Sequence, residues 1–191
     1  MTLPYYPMPL KCQDALVQYT KNFFDKFNDP SRNLYIEWVP VTPELRTLVD
    51  AELVEYGLPP SWTFLGFKRR NDFDFNIKTV HMDSDANTDK VHTSIVVPVD
   101  NCHGTYMYWT SNNYKEEIKI TPVGSHYIKA VYEHEPEYVY PIEIATQPYA
   151  TRVDVPHSAT SNKDGSFRVT LTIRLKSNPE FESVVNTIKQ K

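Results

Sequence analysis

The chain has 191 residues, of which 40% are hydrophobic, 23% charged and 13% aromatic. That size and mixture suit one folded globule with a core that needs no disulfide staples, and exclude a disordered chain. A net charge of -4 with no long Lys/Arg block excludes the electrostatic footprint of duplex nucleic-acid or anionic-membrane binding.

Residues 1–10, with Pro4, Pro7 and Pro9, read as an extended arm whose Tyr5, Tyr6 and Met8 lie against the body. The arm has neither the basic segment nor the apolar run of a secretory leader. Ala15, Leu16, Tyr19, Phe23 and Phe27 recur at helical spacing and predict an amphipathic helix over 12–27. The run Asn28 to Asn33 ends it, and 34–39 reads as a short strand. Thr42-Pro43-Glu44 is a helix start, with an N-cap residue, a proline at the first position and an acid in the first turn. Leu45, Leu48, Val49, Leu53 and Tyr56 trace one side of this second helix, interrupted only by Glu52. Gly57 and the pair Pro59-Pro60 stop it.

From Ser61 the texture changes to short strands and polar turns. Strands are predicted at 62–68, 76–83, 91–99, 104–110, 116–121, 126–133, 138–145, 148–155 and 166–176. Phe181, Val184, Val185 and Ile188 then mark a C-terminal helix over 179–189. No repeat, linker or low-complexity tract interrupts the chain, and no apolar run approaches the ~18 residues of a membrane span. The expectation is a single mainly β domain over 1–191, with helical support at 11–58, a β core at 62–176 and a terminal helix. Two cysteines make no disulfide framework, so Cys12 and Cys102 read as reduced thiols of a cytoplasmic protein.

The residues with chemistry lie on these strands. In His81-Met82-Asp83 an imidazole and a carboxylate are two apart, which on a strand places them on one face. The stretch Val155 to Leu175 holds His157, then the turn-type run Asn162 to Ser166, then a strand of near-perfect alternation. Val169, Leu171, Ile173 and Leu175 share one of its faces, and Arg168, Thr170, Thr172 and Arg174 share the other. A His-x-Asp pair with a distant His is the ligand set of a non-haem Fe(II) facial triad. If the apolar face packs on the N-terminal helices, Arg168 points into the β core, where a buried cation calls for an anion. The plainer alternatives are a turn-forming Asp83 at a strand end, a loop imidazole at His157 and an exposed Arg168.

In order and spacing, His81-x-Asp83, His157 and Arg168-x-Thr170 resemble the motif of 2-oxoglutarate- and Fe(II)-dependent oxygenases, and the segment His92 to Trp109 is similar to the strand pair after His-x-Asp in many members. The resemblance covers roughly residues 62–176. It implies a double-stranded β-helix, or jelly-roll, with His81, Asp83 and His157 as metal ligands. It also implies 2-oxoglutarate held by Arg168 and Thr170, and hydroxylation of a C–H bond of a small-molecule or peptide substrate. Two alternatives stay open: a non-catalytic jelly-roll binding domain, and a cupin-like metalloenzyme without 2-oxoglutarate.

Other candidates are weaker. His92 is placed to approach the metal from outside the triad, whereas His103, in a turn, His126, on a solvent-facing strand, and His134, among acids, read as ordinary histidines. Lys68-Arg69-Arg70 reads as a solvated strand end. The segment Lys68 to Phe75 and the loop Ser84 to Lys90 are expected to form the substrate rim, with Arg70, Phe73 and Phe75 as its gripping residues.

Overall fold

The computed structural model describes residues 3–29, 31–70, 80–85, 87, 89–110, 113–121, 123–160 and 164–191. Among these residues, twelve strands form two antiparallel six-stranded sheets, and three helices support them. This is the expected jelly-roll β-sandwich with helical supports. The major sheet contains, from edge to edge, β1 (Tyr5–Pro7), β10 (Tyr149–Arg152), β5 (Thr93–Asp100), β12 (Phe167–Leu175), β3 (Ser61–Arg70) and β2 (Leu34–Trp38). The minor sheet runs β7 (Lys115–Ile120), β8 (His126–Val131), β4 (His81–Asp83), β11 (His157–Ala159), β6 (Tyr106–Thr110) and β9 (Tyr138–Glu143). Among the described residues no helix is long and apolar enough to cross a membrane.

Strand β12 lies at the centre of the major sheet, and its alternation decides what each face does. Val169, Leu171, Ile173 and Leu175 are fully buried under α1 (Gln13–Phe24), α2 (Pro43–Glu55) and α3 (Phe181–Lys189), against residues such as Leu16, Phe24, Val49, Leu53 and Val184. The opposite face looks into the space between the sheets. Neighbouring β3 alternates in step: Phe64, Gly66 and Lys68 turn to the helices, while Leu65, Phe67 and Arg69 turn inward. Gly66 is required for this fit, because a Cβ there would meet the Phe24 ring at 2.5 Å and Val39 Cγ2 at 2.8 Å.

Two charged residues that break the apolar pattern prove to be helix caps. Glu52, in the stripe of α2, is 8% exposed and accepts hydrogen bonds from the backbone N–H of Lys11 and of Cys12, both at 2.6 Å. Its carboxylate satisfies the N-terminus of α1, where Cys12 supplies no side-chain cap. Lys68 is not a solvated strand end. Its Nζ donates to the carbonyls of Phe24 and Phe27 and to Asn28 Oδ1, at 3.1, 2.8 and 2.9 Å, and so closes the other end of α1.

Two short strands were not foreseen. The N-terminal arm is extended as expected, and it also pairs as β1 with β10. Strand β11 has only three residues, too few for an alternating pattern, and exists because β4 and β6 flank it.

Glu52→Gln is expected to lower stability by about 1–3 kcal/mol, because an amide cannot accept from both N–H groups with a full charge. Urea denaturation measures this, and an unchanged midpoint would show that the cap is dispensable.

Candidate metal centre

Between the sheets, one end of the interior is filled by Val96, Met107, Trp109, Ile142 and Ile144, and the other is a cavity of about 350 Å3. His81, Asp83 and His157 project into it from the minor sheet, and Arg69, Arg168, Thr170, Thr172 and Arg174 from the major sheet.

The three candidate ligands are set by strand geometry. His81 and His157 are directly opposed register partners on β4 and β11, with ring centroids 4.6 Å apart. Asp83 is two residues beyond His81 and hence on the same face. Its Oδ1 lies 3.8 Å from His81 Nε2 and 3.9 Å from His157 Nε2, and one ligand atom from each residue falls within 4.8 Å of the others. Donors bonded to one ion at roughly 2.0–2.2 Å lie at most about 4.4 Å apart, and both Asp83 separations are within that limit. The residues present therefore fit a divalent cation, and two imidazoles with one carboxylate fit Fe(II).

Neighbouring contacts prepare these groups for that task. His157 Nδ1 is 3.0 Å from the carbonyl of Val155, which can only accept, so Nδ1 carries the proton and Nε2 keeps its lone pair for the cavity. Burial, and next the nearby His81, push His157 down to about 4, against the pull of Asp83, so it is neutral at physiological pH. Asp83 turns its second oxygen toward Arg174, whose Nη2 lies 3.8 Å from Oδ2 and whose Nη1 donates to the Ser84 carbonyl at 3.2 Å. That leaves Oδ1 on the imidazole side.

Arg168 is 6% exposed, and Thr170 beside it on the same face is 7% exposed. Its Nη1 donates to the Thr160 carbonyl at 3.3 Å, and among the described residues no carboxylate meets it. Burial disfavours its charge. A guanidinium stays protonated nonetheless, so this end of the cavity is cationic.

The remaining residues are placed as follows. His92 does not approach the triad: its ring pairs with Asp154 at 3.1 Å and Glu180 at 3.4 Å, and Arg152 also holds Asp154 at 3.0 Å. This second His/Asp/Glu group is an ion-pair cluster beside α3. His103 and His134 are exposed. His126 does not face solvent as expected but lines the cavity, and so do Leu34, Ile36, Ile120 and Tyr127. The described mouth thus comes from β2 and the β7–β8 hairpin, which the Trp38 indole ties together by donating to the Val123 carbonyl at 3.3 Å. Arg70 is not among the lining side chains, and Phe73 and Phe75 lie outside the described residues. Of the loop at 84–90, the described residues contact one another, with Asp85 Oδ1 accepting from the N–H groups of Asn87 and Asp89 at 2.8 and 3.0 Å. Sequence reasoning missed Arg69, the mouth residues and the contact of Arg174 with Asp83. The alternation Leu65-x-Phe67-x-Arg69 was the available signal for the first.

No family model and no curated protein matches this sequence. Among solved structures, a prolyl-4-hydroxylase from Pseudomonas putida is similar over 92% of this chain and 95% of its own, at 15% identity and a TM-score of 0.42. AviO1 from Streptomyces viridochromogenes Tue57 is similar over 92% of this chain and 91% of its own, at 13% identity and a TM-score of 0.45. Both likenesses are distant in sequence and shape, and they assign no activity to the chain.

His157 gives the metal-free protein a pH dependence. Its folded value lies below the ordinary value of 6.5, so the unfolded chain binds more protons between 6.5 and about 4. Its contribution is complete above that window and is lost as pH falls through it, on the order of a few kcal/mol in all. Denaturation midpoints of the metal-free protein are expected to drop across this range and to flatten in His157→Asn. A wild-type curve as flat as the variant's would contradict the burial argument.

Proposed function

We propose that the chain is an Fe(II)- and 2-oxoglutarate-dependent dioxygenase that hydroxylates a C–H bond of a small-molecule or peptide substrate. One observation carries this reading: a two-histidine, one-carboxylate donor set shares a cavity with a buried arginine that no described carboxylate meets. A site built only to bind a cation has no use for further buried cations. A site that must also hold a dicarboxylate does.

In this reading His81, Asp83 and His157 would hold the iron. Arg168 pairs with the distal carboxylate of 2-oxoglutarate, and the Thr170 hydroxyl adds a donor beside it. When bound, the two groups supply the oxidising chemistry, in which dioxygen and 2-oxoglutarate yield succinate, carbon dioxide and a substrate carrying one new hydroxyl oxygen. The chain's own contribution is orientation and the exclusion of water. The Val155 carbonyl fixes the tautomer of His157, Arg174 fixes the rotation of Asp83, and the sheets close the cavity behind both. The mouth, with Leu34, Ile36 and Ile120, offers a substrate apolar contact around a charged interior. Two free, buried cysteines suit the reducing cytoplasm that the sequence led us to expect.

Purified protein is expected to load about one Fe(II) per chain, and His81→Ala or Asp83→Ala to abolish loading with the circular dichroism unchanged. Arg168→Ala is expected to weaken 2-oxoglutarate binding by about 2–5 kcal/mol, and Arg168→Lys to restore only part, since a point charge cannot reproduce a bidentate fork. Succinate release that requires both Fe(II) and 2-oxoglutarate separates this reading from a binding domain and from a keto-acid-free cupin. Undiminished metal loading in both ligand variants, or equal 2-oxoglutarate affinity in wild type and Arg168→Ala, would refute it.

A further inference from the structure

Strand β7 is an edge of the minor sheet, and all six of its residues are exposed, Ile118 and Ile120 at 56% and 64%. Its backbone alternates in direction. The Thr121 N–H donates to the Ser125 carbonyl, and the register continues with Ile120 opposite His126 and Lys119 opposite Tyr127. In an antiparallel pair every second residue bonds across. Glu117 and Lys119 therefore bond to β8, whereas Glu116, Ile118 and Ile120 turn their N–H and C=O groups to the edge. Among the described residues no strand pairs with that side. A row of such groups is a template for another strand.

Lysines commonly guard an edge by repelling a second copy. The charges of Lys115-Glu116-Glu117-Ile118-Lys119-Ile120 do the reverse in one register. Residues opposed in a continuous sheet share a face, so a two-fold axis between antiparallel copies must pass beside a residue. An axis at Glu117 sets Glu117 against itself and Lys115 against Lys119, and an axis at Lys119 sets Lys119 against itself. Like charges so opposed are destabilising. An axis at Ile118 stacks Ile118 on Ile118 and sets Glu117 against Lys119 on both sides. It also aligns the outward backbone groups, Ile118 with Ile118 and Glu116 with Ile120. Within one chain Lys119 already meets Glu117 at 2.8 Å, so the pairing closes a ring of four alternating charges.

We propose that β7 is a self-association edge, on which a second copy of this chain pairs antiparallel about a two-fold axis at Ile118 and joins the two minor sheets into one. A single strand pair buries less than the ~1,200 Å2 of a standard interface, so the dimer is weak and forms with rising concentration. Ile120 lines the cavity as well, so the contact adjoins the mouth, with Glu116 of the partner subunit opposite Ile120.

The test is disulfide trapping in a glutathione buffer, read on non-reducing gels. In a hydrogen-bonded antiparallel pair opposed Cα atoms lie about 5.5 Å apart, within disulfide reach, so Ile118→Cys is expected to cross-link across the axis. Ile120→Cys is the control, because its two copies lie four residues apart along the strands, about 14 Å. Cys12 and Cys102 are buried and stay out of the reaction. At least about a tenfold excess of covalent dimer in Ile118→Cys is expected. Small-angle X-ray scattering up to about 1 mM follows the association of the unlinked protein. Glu117→Lys and Lys119→Glu are each expected to weaken it about tenfold or more, since attraction turns to repulsion on both sides of the axis. An equimolar mixture of these two variants is expected to restore it, because every Lys then meets a Glu of the other chain, a rescue that misfolded variants could not give. Equal cross-linking of the two cysteine variants, a wild type that stays monomeric throughout, or a mixture no more associated than its components overturns the proposal.

Discussion

The structure depends on one constraint: a set of charges must persist in the low-dielectric space between two sheets. Arg69, Arg168 and Arg174 are each less than a tenth exposed, and they share one cavity with His81, His157 and Asp83. Removing such groups from water costs several kcal/mol each unless partners meet them. Apolar burial on the other side of the same strands offsets that cost. In β12 every second residue is part of the helix-covered core and every other one faces the cavity, so one strand both stabilises the fold and equips the site. The helices are fastened accordingly. Glu52 and Lys68 satisfy the two ends of α1, and Gly66 lets α1 lie close to β3. Anything that loosens α1 loosens the strand that carries Arg69.

The candidate ligands gain their rigidity from being on strands rather than loops. Register fixes His81 against His157, and the strand period of two puts Asp83 beside them. Backbone and side-chain contacts then set the remaining freedom, through the Val155 carbonyl for His157 and Arg174 for Asp83. The cation-rich wall and the wall that carries the candidate ligands belong to different sheets. A ligand with a chelating end and an anionic end would span the gap between them.

Much of this was legible in the sequence, and the reasons for the misses are physical. The alternation of β12, the cap at Thr42 and the His-x-Asp spacing are local signals, and Thr42 Oγ1 does accept from the Leu45 N–H, at 3.3 Å. Strand β11 was not legible because three residues hold no period, although His157 on it was singled out by the residues around it. Three basic residues in a row look solvated from composition alone. On a strand buried on both faces, however, Lys68 and Arg69 turn to opposite sides, one to a helix end and one to the cavity. The side that His126 faces depended on where the β7–β8 hairpin lies relative to β2, a long-range fact that no local pattern carries. The expected rim is a different case: the described lining includes β2 and the hairpin, and residues 71–75 of the expected rim lie outside the described residues.

The most direct test of the central claim is anomalous diffraction at the manganese edge from crystals soaked with Mn(II) and 2-oxoglutarate. The account predicts one anomalous peak at bonding distance from His81 Nε2, Asp83 Oδ1 and His157 Nε2, with density for a dicarboxylate running from it toward Arg168. A peak instead among His92, Asp154 and Glu180, or a triad that stays without metal at saturating Mn(II), would contradict it.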